Sequence, residues 1–533
     1  MNNMLVLTIV VVAYLFVIGY LGYYGYRRTK NTLDYLVAGR NIHPFIMSLS
    51  YGATFISTSA IVGFGGVAGM FGMGLLWLTF LNIFVGIAIA FIVFGKRTRK
   101  MGHNLDAHTF PELMAKRFKS TFIQGFSGLV IFIFMPLYAA AVLIGAARFL
   151  ETTFSPHITY STGLLIYTLI ICAYVLAGGL KGVMYTDALQ GAIMFVGMIV
   201  LLVFTYAKLG GVVAAHQALS AMVDKVPAKL AAIGHLGWTR MPAFGSNLWW
   251  TMISTIVMGV GIGVLTQPQL AVRFMTVKSN KELNRAVSVG GIFILAMTGI
   301  AFVVGALSNV YFMQNPQFGQ ISAAVAGGNI DKIIPTYINS AMPTWFVYLF
   351  MLVLLCAAMS TSSSQFHALG TAIGRDFFEK VLFRGREFKH TVLVTRIGIV
   401  LGVIATVILG YRLPGSIIAV ATAIFFGLCA ATFLPTYIGA LFWKGMTRAA
   451  AIASMLVGFF GTAGWLLFVH QKESEALGLC KFIFGKPTVA SFPWTVVDAI
   501  VVMLPISLLV AIAVSLFTKK PSKEYVAHCF KHI

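Results

Sequence analysis

A succession of long apolar stretches limits how this chain can fold more than any other feature. A helix needs about 20 consecutive apolar residues to cross the hydrocarbon core of a bilayer. Of the 533 residues, 59% are hydrophobic and 10% are charged, against about 25% charged residues in soluble domains. The sequence therefore predicts an all-α polytopic membrane protein with about 13 spanning helices. The predicted spans are 4–24, 45–70, 74–94, 122–147, 158–177, 187–207, 248–270, 285–309, 343–372, 392–411, 415–442, 449–469 and 494–517.

Positive charges are distributed unevenly over the connections between these spans. Every second connection, together with the tail from Thr518, carries 27 of the 38 Lys and Arg residues. Lys and Arg accumulate in loops on the cytoplasmic side of a membrane. We therefore predict an outside N-terminus and an inside C-terminus. The predicted inside loops are 25–44, 95–121, 178–186, 271–285, 373–391 and 443–448.

The same residues argue against several classes of function. The formal net charge is +23, but it sits in these loops and forms no basic face interleaved with aromatic residues, so we expect no nucleic-acid partner. The five cysteines show no spacing typical of metal ligands. The 11 histidines include no HExxH pair, and no intramembrane aspartate pair or Ser-Lys dyad is present. The sequence predicts that the protein is not an enzyme.

The stretch Ser48–Gly74 is long enough to cross a bilayer but is a poor helix. A glycine costs about 1 kcal/mol against alanine inside a helix, so seven glycines favour a break. A broken helix in hydrocarbon leaves bare carbonyl groups, which survive only inside protein or beside a cavity, and hard cations prefer such oxygen ligands. A continuous, closely packed glycine-rich helix is the alternative. The glycines are Gly52, Gly63, Gly65, Gly66, Gly69, Gly72 and Gly74.

A second interrupted stretch follows five spans later, at 248–270. Gly259, Gly261 and Gly263 precede the sequence Gln267-Pro268-Gln269. Two interrupted spans at matching positions are typical of inverted-repeat transporters with a binding site at mid-membrane, although glycine and proline are frequent in membrane helices generally. We predict one transmembrane domain over 1–533. It comprises an extra helix 4–24, a first repeat 45–207, a second repeat 248–442 and two further helices within 449–517.

Five consecutive hydroxyl residues, Ser360–Ser364, interrupt an apolar span. At helical spacing Ser360, Ser363 and Ser364 share one face. Such hydroxyls can bond back to their own helix, which is the better interpretation for Ser362. For Ser360 and Thr361 we favour ion ligation together with carbonyls around 53–56. A set of neutral oxygens suits a monovalent cation, since a divalent one normally recruits carboxylates.

Acidic residues are scarce, with 15 Asp and Glu in the whole chain. Asp187 lies at the start of the predicted span 187–207. An acid at membrane depth indicates a functional role, but an acid in the first turn also satisfies free N–H groups and the helix dipole. Both interpretations stay open at this point.

Taken together, the chain resembles the sodium/solute symporter family, which includes proline, pantothenate, monocarboxylate, sialic acid and sugar transporters. Any one matching stretch is weak, but their order and spacing along nearly the whole chain are specific. The resemblance implies a leucine-transporter-type fold of two inverted five-helix repeats plus extra helices, working by alternating access in the cell membrane. The matching stretches are Ala53–Ser59, Gly178–Gln190, Gln267–Arg273, Ala357–Thr361 and Leu441–Arg448.

The resemblance also implies where sodium binds. The principal site would use the backbone carbonyls of Ala53, Ile56 and Ala357. The hydroxyls of Ser360 and Thr361 would complete it. Some family members have a second sodium site, which here would fall on Asp187, Ser363 and Ser364 and would allow coupling to two ions.

The expected function is sodium-coupled uptake of a small solute across the bilayer, with no obligate protein partner. The family's arginine for large acidic sugars is missing from 122–147, so we favour a small carboxylate-bearing solute, a monocarboxylate or an amino acid. One alternative is a proton-coupled carrier in which Asp187 takes up the proton. Another is a membrane sensor, disfavoured because no signalling domain follows the last span. The predicted substrate residues are Phe55, Ser57, Thr58, Asn82, Gln267 and Gln269.

Overall fold

The computed structural model describes residues 3–383 and 390–533. In that part of the chain the regular elements are helices, apart from one isolated bridge between Ile42 and Val277. This agrees with the predicted all-α class. The segment 384–389 of the predicted inside loop 373–391 lies outside the described residues.

Within the described residues, 11 helices are long and apolar enough to cross a membrane, and one bent pair would make 12. A shorter apolar helix, Tyr160–Ala173, accompanies them. Each predicted span overlaps one of these helices, while the number of crossings and the side on which each terminus lies stay predictions. The long helices are Ile9–Arg28, Met73–Asn104, Thr121–Phe154, Gly179–Lys208, Asn247–Thr266, Asn280–Gln314, Thr344–Leu382, Thr391–Arg412, Ile418–Phe442, Arg448–Phe468 and Ala499–Phe517.

The bent pair is the predicted interruption, and we call it the first broken helix (Pro44–Phe55 and Ser59–Phe71). Pro44 starts its first half, where a missing N–H costs nothing. The last regular bond joins the Ile56 amide to the Gly52 carbonyl at 2.8 Å. Ile56 is extended, with φ −89° and ψ 101°, and the two halves meet at 53°.

The glycines of this segment do not form the break, although the sequence predicted that they would. The break falls at 56–58, where no glycine lies, and Gly65 and Gly69 belong to a regular helix. A Cβ built on Gly305 of the facing helix would lie 2.0 Å from the Gly65 carbonyl oxygen. These glycines therefore allow two helices to pack closely, as the alternative interpretation held, while the break itself has a separate cause.

The second interruption also lies where it is predicted. Helical geometry ends at Thr266, and Gln267 is extended, with φ −70° and ψ 115°. A short helix restarts with Pro268 as its first residue. The assignment of 45–207 and 248–442 as inverted repeats stays a prediction.

The interpretation of Asp187 as a helix-capping acid is wrong. One helix runs over Tyr160–Lys208 and is interrupted at Gly179, which has φ 57°. Gly179 suits that conformation because a Cβ there would be strained and would lie 2.6 Å from the Tyr35 ring. The predicted span 187–207 therefore begins about two turns earlier, and Asp187 lies inside the helix, with its N–H already bonded.

The centre of the molecule is the helix Thr344–Leu382, which we call the hydroxyl helix. Every residue from Phe350 to Gly370 on it is buried. It packs along Tyr160–Lys208 and also contacts Thr121–Phe154 and the first half of the first broken helix. Its run of hydroxyls therefore faces protein on all sides.

Candidate functional site

The break in the first broken helix meets the hydroxyl helix directly. The Ser360 hydroxyl donates to the Ala53 carbonyl at 2.9 Å. The Thr361 hydroxyl donates to the Thr54 carbonyl at 3.0 Å and lies 3.4 Å from the Ala53 carbonyl. These carbonyls follow the last regular helical bond of that half, so hydroxyls take the place of the amide groups that a continuous helix would supply.

The remaining predicted ligands adjoin this contact. The Ser360 hydroxyl also lies 3.4 Å from the Ala357 carbonyl, one turn earlier on the same helix. Ile56 is the first extended residue, three positions after Ala53. Ala53, Ala357, Ser360 and Thr361 are fully buried. The structure thus gathers neutral oxygens at a buried position, a donor set that suits a monovalent cation.

The predicted second ion group has a different character. Asp187 accepts from the hydroxyls of Ser50 and Thr54 at 3.0 and 3.2 Å. Its strongest partner is Arg273, whose guanidinium lies 2.8 Å from the Asp187 Oδ2 atom. Ser364 contacts the same guanidinium at 2.6 Å.

Ser363, the other predicted member of that group, bonds within its own helix. Its hydroxyl donates to the Ser360 carbonyl at 3.1 Å. Ser362 has a buried hydroxyl with no hydrogen-bond partner in the described part of the chain. The five hydroxyls therefore divide into two that reach the break, one that contacts Arg273 and also bonds back to its own helix, one that only bonds back and one that only packs.

A small cavity lies beside the break, between the first broken helix and the helices Thr121–Phe154 and Ile418–Phe442. Its volume is about 20 Å³, close to the space that one water needs. Aromatic and aliphatic side chains form most of its wall and hydroxyl and amide groups form the rest, with no charged side chain of the described residues lining it. The lining residues are Phe55, Ile56, Ser57, Ser59, Ala60, Phe64, Leu78, Asn82, Tyr138, Val260, Thr298, Phe302, Thr422 and Phe426.

Of the predicted substrate residues, the structure brings Phe55, Ser57 and Asn82 together in this wall. Two polar atoms there, the Asn82 Oδ1 and the Ser59 hydroxyl, have no hydrogen-bond partner among the described residues. Both are buried. Unpaired polar groups in a largely apolar wall are the kind of group that can fix the orientation of a ligand.

The other three predicted substrate residues do not line that cavity. Thr58 donates to the Val142 carbonyl. Gln267 donates to the Gly263 carbonyl at 3.2 Å. Gln269 lines a second cavity of about 20 Å³, which opens between the hydroxyl helix and the predicted inside segment around His108.

Sequence reasoning missed the role of Arg273. It stands at the end of the quoted stretch Gln267–Arg273, yet its side chain is fully buried and reaches Asp187. A signal was present, because opposite charges at membrane depth pair with each other. An arginine just beyond an interrupted span was therefore a natural partner of Asp187 to test.

Comparisons with known proteins agree with this architecture. A model of the sodium:solute symporter family matches residues 35–458. An osmoregulated proline transporter of Bacillus subtilis is 26% identical over 512 residues, covering 94% of this chain and 93% of the relative. A sodium/proline symporter of Staphylococcus aureus is 27% identical over 533 residues, covering 96% and 93%.

A solved structure shares the fold. It is a Na+-coupled sialic acid symporter in a substrate-bound outward-open state, with a TM-score of 0.75 over 98% of both chains. The identity is 17%, so this likeness concerns the fold alone. The predicted fold class, an all-α transporter fold, is confirmed.

Proposed function

The chain belongs to the sodium:solute symporter family, and from that premise we propose that it takes up a small carboxylate-bearing solute together with sodium by alternating access. It is a multi-pass protein of the cell membrane and a transporter rather than an enzyme. The relatives named above carry proline. We therefore propose an amino acid with a compact apolar body, with proline as the first solute to test.

The observation that carries the sodium half of the proposal is the contact at the helix break. The hydroxyls of Ser360 and Thr361 reach the carbonyls of Ala53 and Thr54 across two distant parts of the chain. If either hydroxyl rotated its hydrogen away from the carbonyl, the hydroxyl oxygen and the carbonyl oxygen could both coordinate one ion between them. A sodium ion held there bridges the first broken helix and the hydroxyl helix, so its binding favours one packing of the two over the other.

The solute half of the proposal rests on the cavity beside the break. Its aromatic and aliphatic wall suits a compact apolar body, and its hydroxyl and amide groups can donate to a carboxylate. The second half of the first broken helix begins at Ser59, and the positive end of a helix favours an anionic group. Since the cavity has room for about one water, the two halves must move apart for a solute to enter.

Sodium-driven uptake has a sufficient energy source. An ion that crosses a potential of 100 mV releases about 2.3 kcal/mol, before any concentration term. That is enough for roughly a 50-fold accumulation of a neutral solute.

The test is uptake of labelled proline by the purified full chain in proteoliposomes. We expect accumulation with an inward sodium gradient and only equilibration when sodium is equal on both sides or replaced by potassium. Lactate and a hexose serve as alternative labelled solutes, and a proton gradient without sodium tests the proton-coupled alternative. Equal uptake of every solute with and without the sodium gradient would contradict the proposal.

A further inference from the structure

Arg273 is the most heavily bonded charged side chain among the buried groups near the helix break. Its Nη2 atom donates to the Asp187 carboxylate at 2.8 Å and to the hydroxyls of Thr54 and Ser364, each at 2.6 Å. Its Nε atom donates to the Ser50 hydroxyl at 3.0 Å. Both Arg273 and Asp187 are 0% exposed. The guanidinium is therefore fixed in place by a carboxylate and three hydroxyl oxygens.

These partners include two of the three residues predicted to hold a second sodium ion. Asp187 and Ser364 both contact the guanidinium, while Ser363 bonds back to its own helix. The Arg273 guanidinium therefore already places a positive charge where a second sodium ion would bind.

A sodium ion and the guanidinium cannot share these ligands at low cost. Two like charges about 4 Å apart in a partly shielded protein environment repel enough to weaken ion binding roughly 1,000-fold. The guanidinium is also planar and fixed by several donors at once, so it leaves such a site less readily than a lysine would.

We propose that Arg273 is a tethered cation that replaces the second sodium ion, so that the protein binds one sodium ion, at Ala53 and Ser360. The inference rests on the proposed function as a sodium-coupled carrier and fixes its stoichiometry. The negative charge of Asp187 serves to hold Arg273, and through it the segment after the second interruption, against the first broken helix.

The same geometry predicts what happens when the guanidinium is removed. Arg273→Gln leaves the Asp187 carboxylate facing the hydroxyls of Ser50, Thr54 and Ser364, an oxygen set that a hard cation accepts. The Asp187 Oδ1 atom already lacks a hydrogen-bond partner in the described part of the chain, so it is available as a further ligand. This variant is expected to gain a sodium ion.

The experiment counts radioactive sodium bound at equilibrium by the purified full chain, without any solute. We expect one ion per wild-type chain, two for Arg273→Gln, one for Arg273→Lys, which keeps the charge, and one for the double variant Arg273→Gln with Asp187→Asn. Two ions bound by the wild-type chain would overturn the inference, and so would a single ion bound by Arg273→Gln.

A further variant keeps the inference testable if Arg273→Gln does not fold. Asp187→Asn retains Arg273 and is expected to bind the same single ion as the wild-type chain. A fall from two ions to one in that variant would place a sodium ion on Asp187 and overturn the inference. A wild-type chain that binds no sodium would instead reject the proposed function itself, so the two failures are distinguishable.

Discussion

The Ser360 hydroxyl lies 2.9 Å from the Ala53 carbonyl oxygen, although the two residues are 307 positions apart in the chain. Both are fully buried. The carbonyl belongs to a broken helix and the hydroxyl to a continuous one, so this contact joins two elements that are far apart in the chain. Under the proposed function, an ion bound at this contact would favour one packing of the two helices over another.

Asn82 is expected to contribute to solute binding and not to ion binding. Its side chain lines the cavity beside the break, and its Oδ1 atom has no partner among the described residues. Asn82→Ala should raise the solute concentration for half-maximal uptake by about 2- to 10-fold, as expected for one lost hydrogen bond, and leave the sodium dependence unchanged. Thr79→Ala is the control, because Thr79 lies one turn earlier, is also buried and does not line the cavity. Equal effects of the two substitutions on uptake would contradict this assignment.

The close packing of Gly305 against Gly65 is expected to be essential for stability. Gly305→Ala places a methyl group 2.0 Å from the Gly65 carbonyl oxygen, so the helices must separate, at a cost of about 1–3 kcal/mol or more. Gly291→Ala on the same helix is the matched control, since its nearest neighbour would be 3.9 Å away and alanine improves helix propensity by about 1 kcal/mol. Thermal unfolding in detergent should show a lowered midpoint for Gly305→Ala and an unchanged or raised one for Gly291→Ala. The reverse order would show that the two helices do not pack as described.

The buried ion pairs of Glu112 are expected to make the folded protein less stable in acid. It lies on the helix Phe110–Phe118, is 2% exposed, and pairs with Arg375 and Lys116. Burial raises the pKa of Glu112, but the hydrogen bond with His108 and the charges of Arg375 and Lys116 outweigh it, so the pKa lies below its ordinary value. The stabilisation is therefore complete above pH of about 4.3, the ordinary pKa of a glutamate, and is lost as the pH falls from there towards the lowered pKa.

The measurement compares thermal unfolding of the wild-type chain and Glu112→Gln from pH 7 to pH 3. The variant should be less stable at pH 7, because it removes the closer of the two buried carboxylates that pair with Arg375, Glu112 at 3.2 Å and Glu379 at 3.7 Å, and the difference should narrow below about pH 4.3. Glu524→Gln, at an exposed position of the helix Lys523–Cys529, should show no such pattern. A difference between wild type and Glu112→Gln that stays constant or widens in acid would reject the role given to this ion pair.

Much of this architecture could be predicted from sequence because each membrane-spanning helix corresponds to a long run of apolar residues. The interruptions within Ser48–Gly74 and at Gln267 were also predicted, from glycines that disfavour a continuous helix and from Pro268. The cause of the first interruption was not. Its glycines pack against a neighbouring helix, and the break is stabilised by hydroxyls of Ser360 and Thr361, which no local pattern around it reveals.

The candidate site was predictable only in part, for a related reason. Ser360 and Thr361 could be identified because they are hydroxyl residues in an apolar span. The position of Asp187 could not, because the helix restarts after Gly179, about two turns before Asp187, and not at Asp187 itself. The pairing of Asp187 with Arg273 joins residues 86 positions apart and follows from tertiary packing. Thr58, Gln267 and Gln269 were included because they flank the interruptions, but backbone contacts and local packing hold them away from the cavity beside the break.

The most direct test of the central claim compares the sodium dependence of proline uptake in Ser360→Ala and Ser362→Ala, in proteoliposomes at constant ionic strength. Both serines are buried on the hydroxyl helix, but only Ser360 reaches the Ala53 carbonyl. We predict that Ser360→Ala raises the sodium concentration for half-maximal uptake about 10-fold, equivalent to about 1.4 kcal/mol of lost ligation, while Ser362→Ala matches the wild-type chain. An unchanged sodium dependence in Ser360→Ala, or an equal shift in both variants, would contradict the claim that sodium binds where the broken helix meets the hydroxyl helix.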